Sequence, residues 1–256
     1  MPLRHQRVLR YVTPLREGGS LPAIVEADDE NFYVLKFRGA GQGPKALVAE
    51  LIAGELARAI GLPVPELVFL LLDPDLARTE PDPEIQVLIR ASAGLNIGLD
   101  YLPGSVTYDP VAWQPDAELA SRIVCFDAYV TNVDRTAKNV NLLVWHRHLH
   151  LIDHGAALYF HHDWQRAGER ASDPFARIKD HVLLPRASQL REAEAELVAK
   201  LTPEVIADIV AQVPDEWLLE GDGVRPRAAY VDYLRSRLEP PRSFVEEALR
   251  ARAALV

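Results

Sequence analysis

Asp134-Arg-Thr-Ala-Lys-Asn139 stands before two short apolar runs, and Asp153-His-Gly155 follows directly after the second run. Only two residues separate the runs, which predicts that they pair as a β-hairpin. Because a hairpin brings its ends together, we expect Asn139 and Asp153 to lie close to one another. Either motif is common by itself, and two ordinary turn carboxylates are the alternative. The order of motif, strand, turn, strand and motif favours a shared site.

The spacing of these residues fits the requirements of phosphoryl transfer from ATP. That reaction needs a cation on the phosphates, Mg²⁺ held by oxygen ligands, and a carboxylate beside the acceptor hydroxyl. In the interval Asp-x₄-Asn, Asp134 would receive the proton of the acceptor and Asn139 would bind metal. Asp153, after the hairpin, would be a second ligand of Mg²⁺. The sequence therefore predicts an ATP- and Mg²⁺-dependent phosphotransferase.

A lysine in the N-terminal half is the candidate for the cation. Lys36 ends an apolar β-run, and burying it without an anionic partner would be costly. Glu50, on the helix predicted to follow, is the expected partner, and Glu55 is its rival. The alternative is an edge-strand lysine whose ammonium group simply reaches solvent.

Two glycine turns near the predicted strands could bind the phosphate groups. Gly18, Gly19 and Ser20 lie between the first two strands, where backbone N–H groups could cradle phosphate oxygens. The loop at residues 39–43 could serve instead, with the N-terminus of the following helix as an anion site. Both turns are therefore candidates.

The remainder of the N-terminal half is predicted to be rich in β-structure. Apolar runs and turn signals predict a meander of three strands within residues 1–38, and helical spacing predicts one helix over 44–60. Two further apolar runs, 66–72 and 85–89, are predicted strands on either side of a proline-rich loop. Residues 1–103 are thus expected to form a β-rich ATP-binding lobe.

Helical periodicity dominates beyond residue 103. It predicts helices over residues 116–130, 188–200, 203–213, 227–238 and 243–256. A β-rich half followed by a helix-rich half predicts an α+β protein with two lobes. The second lobe, 104–256, would carry the catalytic loop and the metal site, and the boundary would fall near residues 101–104.

Composition excludes several classes of protein. The chain has 256 residues and a formal net charge of −9, so it lacks the basic character of a nonspecific nucleic-acid binder. Its single cysteine, Cys125, excludes an internal disulfide framework. No signal-like stretch opens the sequence, and its longest apolar run is too short to span a bilayer. A cytoplasmic enzyme without nucleic-acid or membrane partners is expected.

Four segments resemble the HipA-like kinases, which are relatives of the phosphatidylinositol kinases and, more distantly, of protein kinases. The segments are Tyr33-Val-Leu-Lys36-Phe, Glu50 with Leu56-Ala-Arg-Ala-Ile-Gly-Leu-Pro-Val-Pro-Glu66, Asn132-Val-Asp134-Arg-Thr-Ala-Lys-Asn139, and Leu151-Ile-Asp153. The resemblance implies a bilobed protein-kinase-like fold with a β-rich N-lobe and a mostly helical C-lobe.

The resemblance also implies residue roles. Lys36 would contact the ATP phosphates, and Asp134 would be the catalytic residue. Asn139 and Asp153 would bind Mg²⁺. It places the adenine against the connection between the lobes, formed by Asp100, Tyr101 and Leu102.

Two departures from the family pattern bear on function. Thr136 stands where HipA-like catalytic loops usually carry histidine. The short stretch before the glycine turn is expected of a minimal, stand-alone branch, which speaks against a toxin role with an antitoxin partner. Neither departure removes the predicted base or a metal ligand. A protein Ser or Thr is the expected acceptor, and a small-molecule phosphotransferase or a nucleotide-binding regulatory protein without transfer activity is the alternative.

Overall fold

The computed structural model describes residues 2–15, 21–41, 43–220, 223–224 and 226–255. The strands are β1 Arg4–Pro14, β2 Ala23–Ala27, β3 Phe32–Lys36, β4 Leu67–Leu72, β5 Gly94–Asp100, β6 Val106–Thr107, β7 Leu142–Trp145, β8 His148–Leu151, β9 Leu219–Glu220 and β10 Gly223–Val224. The helices are α1 Pro44–Ala59, α2 Pro83–Ala91, α3 Ala117–Tyr129, α4 Ala167–Arg170, α5 Leu190–Lys200, α6 Pro203–Ala211, α7 Arg227–Leu238 and α8 Ser243–Ala253. The predicted α+β class, with a β-rich first part and a mostly helical second part, is confirmed.

Strands β1 to β5 form a closed barrel. Their order is β1-β2-β3-β5-β4, and β4 returns to pair with β1. That last pairing is parallel and sets Arg4 opposite Val68, whereas the others are antiparallel. The predicted meander is confirmed, because β2 pairs with β1 on one side and with β3 on the other.

Strand β4 is apolar along its length, and both of its faces are covered except at Leu71, which is exposed. Leu70 lies inside the barrel, whereas Leu67 and Phe69 join the larger core on the side of α1. The neighbouring strand β5 carries Gly98, where a Cβ atom would overlap the side chain of Leu70. Glycine therefore lets β4 and β5 pack against each other without displacing the barrel core.

The segment 85–89, predicted to be a strand, is instead part of helix α2. The side chain of Asp82 caps the helix by accepting a hydrogen bond from the Glu84 backbone N–H at 2.9 Å, and proline occupies the first turn. Ile85 and Ile89 are one helical turn apart and pack against the barrel core, whereas Val87 is exposed. The first 103 residues therefore contain two helices rather than one, and the strand after α2 is β5.

Helix α1 lies between the barrel and the helical part, and most of its surface is covered. Its buried residues include Leu51, Leu56 and the ionisable Glu50, which has no solvent exposure. The core cluster to which α1 contributes also includes residues of α3 and of the β7–β8 hairpin. A glutamate at such a position needs a fixed counter-charge.

The predicted hairpin and helices of the second half are present. Strands β7 and β8 pair from Leu142 opposite Leu151 to Trp145 opposite His148, and β6 adds a third strand. Helix α3 is capped by Asp116, whose side chain accepts from the Leu119 backbone N–H at 2.7 Å. Across the described ranges, no helix has both the length and the apolar character needed to cross a membrane.

Candidate active site

One lysine joins the barrel, α1 and the loop after the hairpin. Lys36 is the last residue of β3, and its Nζ lies 2.8 Å from Oε2 of Glu50 on α1. The same ammonium lies 2.5 Å from Oδ1 of Asp153, which follows the hairpin. Glu55, the rival partner, pairs instead with Arg58 on the helix surface. The structure thus brings together a cation and two carboxylates that are distant in sequence.

The charges of this cluster stabilise one another. Burial disfavours the charged form of Glu50, but the Lys36 ammonium and the nearby His154 outweigh it and lower the pKa of the carboxyl to about 2. Burial likewise opposes the charge on Lys36, yet Asp153 and Glu50 raise the pKa of its ammonium above the usual value. At neutral pH both Lys36 and Glu50 are therefore charged.

His154 also belongs to this cluster, a position that sequence reasoning did not predict. Its ring is buried, and Nδ1 lies 3.6 Å from Oε1 of Glu50. The rings of His154 and Phe126 pack in a T-shaped arrangement, with their centroids 6.3 Å apart. Asp153, the preceding residue, adopts a left-handed backbone conformation with φ of +57°. Aspartate is one of the few residues that tolerate this conformation, and here it turns its carboxylate toward Lys36 while His154 enters the core.

A second cluster surrounds Asp134. Its Oδ2 accepts a hydrogen bond from Nδ2 of Asn139 at 2.7 Å, and its backbone oxygen accepts from Nδ2 of Asn141 at 3.1 Å. Its backbone N–H donates to Oδ1 of Asn132 at 3.2 Å. Thr136 closes the turn by accepting from the backbone N–H of Asn139 at 3.3 Å. Asn132 and Asn141 were not predicted, although both flank the motif that drew attention to Asp134.

The Asp134 loop rests on a buried ion pair that the sequence analysis missed. Nε of Arg135 donates to Oδ2 of Asp127 on α3 at 2.6 Å, and neither side chain is exposed to solvent. Nδ2 of Asn132 donates to the other carboxylate oxygen at 3.0 Å. A signal was available: Asp127 stands on the apolar side of α3, next to Phe126, where a carboxylate requires a partner.

His181 completes the buried network as a neutral group. Its Nδ1 accepts from the Leu183 backbone N–H at 3.0 Å, so the proton resides on Nε2, which donates to Asp127 at 2.9 Å. Burial lowers the pKa of the imidazole, more than Asp127 raises it. Burial also opposes the charge on Asp127, but Arg135 and then His181 lower the pKa of its carboxyl well below the usual value. The pair is therefore an ionised carboxylate and a neutral histidine.

Arg135 also connects the two clusters. Its Nη1 donates to the backbone oxygen of Asn141 at the start of the hairpin and, at 3.3 Å, to that of Ile152 at its end. Ile152 directly precedes Asp153. One buried guanidinium therefore connects the Asp134 loop, through both ends of the hairpin, to the residue that precedes Asp153.

Asn139 and Asp153 each offer an oxygen atom of the kind that divalent metals such as Mg²⁺ bind. Nδ2 of Asn139 donates to Asp134, and neither Oδ1 of Asn139 nor Oδ2 of Asp153 accepts a hydrogen bond from any described residue. Mg²⁺ accepts one or two protein oxygens when phosphates and water supply the others. Within the part of the chain that is described, no group of three or more His, Cys, Asp or Glu could hold a metal without such help.

The proposed adenine segment lies at the end of β5. Asp100 and Tyr101 use their backbone N–H groups to bond Glu66 and Phe32, at 2.9 and 3.0 Å. The N–H of Leu102, by contrast, donates to no described residue. Burial, with Glu66 adding to it, raises the pKa of the Asp100 carboxyl. The segment thus offers one backbone donor at the edge of the barrel.

Of the two glycine turns, one lies outside the described residues. This is the turn of Gly18, Gly19 and Ser20. In the other loop, the Gly39 N–H donates to Oγ of Ser92 at 3.1 Å, and the Gly43 N–H donates to the loop's own Ala40 at 2.9 Å. These two N–H groups are consequently not free to bind phosphate.

Comparison with solved structures places this architecture among kinases. The proinflammatory kinase CtkA of Helicobacter pylori is similar with a TM-score of 0.55 and 12% identity, over 100% of this chain and 99% of that one. The Golgi casein kinase is similar with a TM-score of 0.54 and 12% identity in its Mn/ADP-bound form, over 98% of this chain and 73% of that one. At such identities the similarity concerns the fold, which is that of a kinase.

The sequence itself identifies the family. Residues 8–243 match the model of the HipA-like kinases, and the chain belongs to this family. No curated protein sequence gives a significant match. The resemblance seen in the sequence is confirmed, and the protein is a kinase-type phosphotransferase.

Proposed function

We propose that this kinase transfers the γ-phosphoryl group of ATP, bound with Mg²⁺, to the hydroxyl of a protein Ser or Thr. The observation that carries the proposal is the position of Lys36, whose ammonium contacts Glu50 and Asp153 at the junction of barrel and hairpin. A lysine fixed between two carboxylates is a charge held in place for phosphate oxygens. We further propose that residues 1–103 and 104–256 are the two lobes around the nucleotide.

The nucleotide would bind between the two clusters. Lys36 would contact its phosphates while Glu50 keeps the ammonium oriented. Asn139 and Asp153 would hold Mg²⁺, which supplies positive charge beside the phosphate oxygens. The backbone N–H of Leu102, which bonds to no described residue, would donate to the adenine, and Asp100 and Tyr101 would flank it. The turn of Gly18, Gly19 and Ser20 remains our candidate for the loop that covers the phosphates.

Asp134 would act on the acceptor. The acceptor oxygen forms a new bond to the γ-phosphorus, the bond from that phosphorus to the bridging oxygen breaks, and its electron pair leaves with ADP. The acceptor proton passes to the Asp134 carboxylate, of which Oδ1 is free of described partners while Oδ2 is oriented by Asn139. A candidate base and two candidate metal ligands together support transfer activity over a purely regulatory nucleotide-binding role.

Transfer of label from radiolabelled ATP to a panel of protein and small-molecule hydroxyl acceptors tests the proposal. Asp134→Asn should lower turnover by about 10²- to 10⁴-fold and largely spare nucleotide affinity, because the base acts on the acceptor. Lys36→Ala should weaken nucleotide binding. Asp208→Asn, a change at an exposed aspartate of α6, is the matched control. Full turnover in Asp134→Asn would exclude the proposed base, and label appearing only on small molecules would exclude the proposed acceptor.

A further inference from the structure

A cleft beside the Asp134 loop has no role in the chemistry described so far. Its cavity volume is about 570 Å³, and its lining includes Thr131 and Val133, the latter directly before Asp134. The opposite side of the lining comes from the segment 159–177, which follows Asp153 and precedes His181. The cleft therefore adjoins the Asp134 loop. A chain that presents its hydroxyl group to Asp134 would continue into this cleft.

The floor and one wall of the cleft are held by buried side chains. Phe160 stacks on Tyr233 with ring centroids 3.6 Å apart. Arg237, which is almost fully buried, donates to the backbone oxygens of Ala171 and Asp173, each at 3.1 Å. It also donates to the backbone oxygen of Tyr129, at the end of α3, at a distance of 2.7 Å. Because the buried guanidinium bonds both to the lining segment and to α3, it fixes the one against the other. The cleft is therefore preformed.

The residues that line the cleft include more arginines than carboxylates, although the chain as a whole carries −9. The lining contains three arginines, Arg166, Arg170 and Arg177, and one carboxylate, Asp173. Arg170 is paired with Asp163 at 3.0 Å, and Arg166 with the exposed Glu169 at 3.2 Å. The pair of Arg166 and Glu169 is exposed, and such a pair contributes little stability. Arg166 can therefore exchange Glu169 for another anion. Arg177 makes no hydrogen bond or ion pair with any described residue.

The exposure of the lining favours a passing chain over an enclosed small molecule. Half of the lining residues are exposed, among them Tyr159 and Arg177, whereas small-molecule sites usually enclose most of their ligand. An extended peptide could lie over the aromatic wall, with its own acidic side chains directed at the guanidinium groups. The cleft is thus suited to a segment that enters at Val133 and leaves past Arg177.

We propose that the cleft recognises an acidic peptide segment, so that Arg177 and Arg166 bind Asp or Glu side chains flanking the Ser or Thr presented to Asp134. This inference rests on the proposed function and deepens it by naming the class of acceptor. Arg177 binds the acceptor directly, and Arg166 contributes after exchanging Glu169 for the peptide carboxylate. The transfer step itself is unchanged.

The test uses the full chain and matched peptides containing one serine, flanked by Glu and Asp, by Gln and Asn, or by Lys. Binding is measured by fluorescence anisotropy of labelled peptides, and phosphorylation by radiolabelled ATP and Mg²⁺. The acidic peptide should bind and react at least tenfold better than the neutral one, with a preference that weakens as salt rises. Arg177→Ala should reduce this ratio several-fold and Arg177→Glu should abolish it, whereas Arg7→Ala, at an exposed arginine of β1, should leave it unchanged.

Each other outcome is informative. Equal binding and phosphorylation of acidic and neutral peptides would overturn the inference and leave the proposed kinase activity standing. Phosphorylation confined to a small anionic alcohol, such as glycerol 3-phosphate, would overturn the peptide acceptor. Selective binding of the acidic peptide without ATP turnover would support the cleft and count against the proposed chemistry. Preference for the lysine-flanked peptide would reverse the charge assignment and overturn the inference.

Discussion

The Nζ of Lys36 and Oδ1 of Asp153 lie 2.5 Å apart, although 117 residues separate them in the chain. This contact joins the end of β3 to the residue that follows β8. Because Glu50 occupies the other side of the ammonium, the lysine is held from α1 as well. A nucleotide entering here would compete with Asp153 for Lys36, and Mg²⁺ would give Asp153 another positive partner.

The Asp153→Asn variant tests this exchange of partners. The amide keeps the shape of the side chain but removes the charge that both Lys36 and the proposed Mg²⁺ would use. We expect phosphoryl transfer to fall by about 10²-fold or more, and the Mg²⁺ concentration for half-maximal rate to rise. Rates measured over a Mg²⁺ titration at saturating ATP check this. An unchanged Mg²⁺ dependence would remove Asp153 from the proposed metal site.

Glu50 should matter for stability as well as for nucleotide binding. Glu50→Gln removes the fully buried counter-charge of Lys36 and leaves Asp153 in contact with the ammonium. We therefore expect a loss of about 3 kcal/mol, the lower end of the cost of breaking a buried pair. Urea denaturation measures the free energy of unfolding. Nucleotide titration measures the loss of affinity that follows when Lys36 is no longer held by Glu50. Glu55→Gln is the matched control, because Glu55 lies on the same helix and pairs only with Arg58. Equal losses in the two variants would contradict a special role for Glu50.

Acid should destabilise the fold in two stages. His181 is held neutral with a pKa below its usual 6.5, so the unfolded chain takes up the proton first and stability starts to fall below that pH. Glu50 has a folded pKa of about 2 against a usual 4.5, so its contribution of ~3 kcal/mol is present above 4.5 and is lost as the pH falls toward 2.

Urea midpoints between pH 7.5 and pH 3 check both stages. His181→Gln should flatten the upper stage and leave the lower one, whereas the same change at the exposed His148 should alter neither. Stability that rises on acidification from pH 7 to pH 5 would contradict the neutral, buried state of His181.

Elements with a clear local pattern were predictable from the sequence. The meander β1 to β3, helix α1 and the hairpin β7–β8 follow from apolar periodicity and turn residues. Segment 85–89 was assigned wrongly because Ile85 and Ile89 fit a short apolar strand as well as one turn of helix, and the cap at Asp82 decides between them.

Features that depend on long-range contacts could not be predicted in this way. The parallel pairing of β1 with β4 closes the barrel across some sixty residues of chain. Asp127 meets His181 across 54 residues, and no periodicity in either segment reveals the other. The motif around Asp134 therefore identified the proposed base, whereas the residues that hold its loop became visible only in the fold.

The buried pair of Asp127 and Arg135 should control the position of the Asp134 loop. Asp127→Asn leaves the Arg135 guanidinium buried without its counter-charge, so we expect a loss of about 3–5 kcal/mol in stability. The rate of transfer should fall more than nucleotide affinity, because Arg135 ties the loop to the hairpin through Asn141 and Ile152. Urea unfolding and nucleotide titration separate these effects.

A double-mutant cycle shows whether the two side chains act as a pair. Combining Asp127→Leu with Arg135→Met removes both charges and should cost less than the sum of the single changes, with a coupling energy above ~1 kcal/mol. If the double variant folds but transfers phosphate slowly at saturating ATP, the pair positions the loop in addition to stabilising the fold. Additive costs together with wild-type turnover would show that the loop holds its geometry without this pair, and the support for Asp134 would have to come from Asn132 and Asn141 instead.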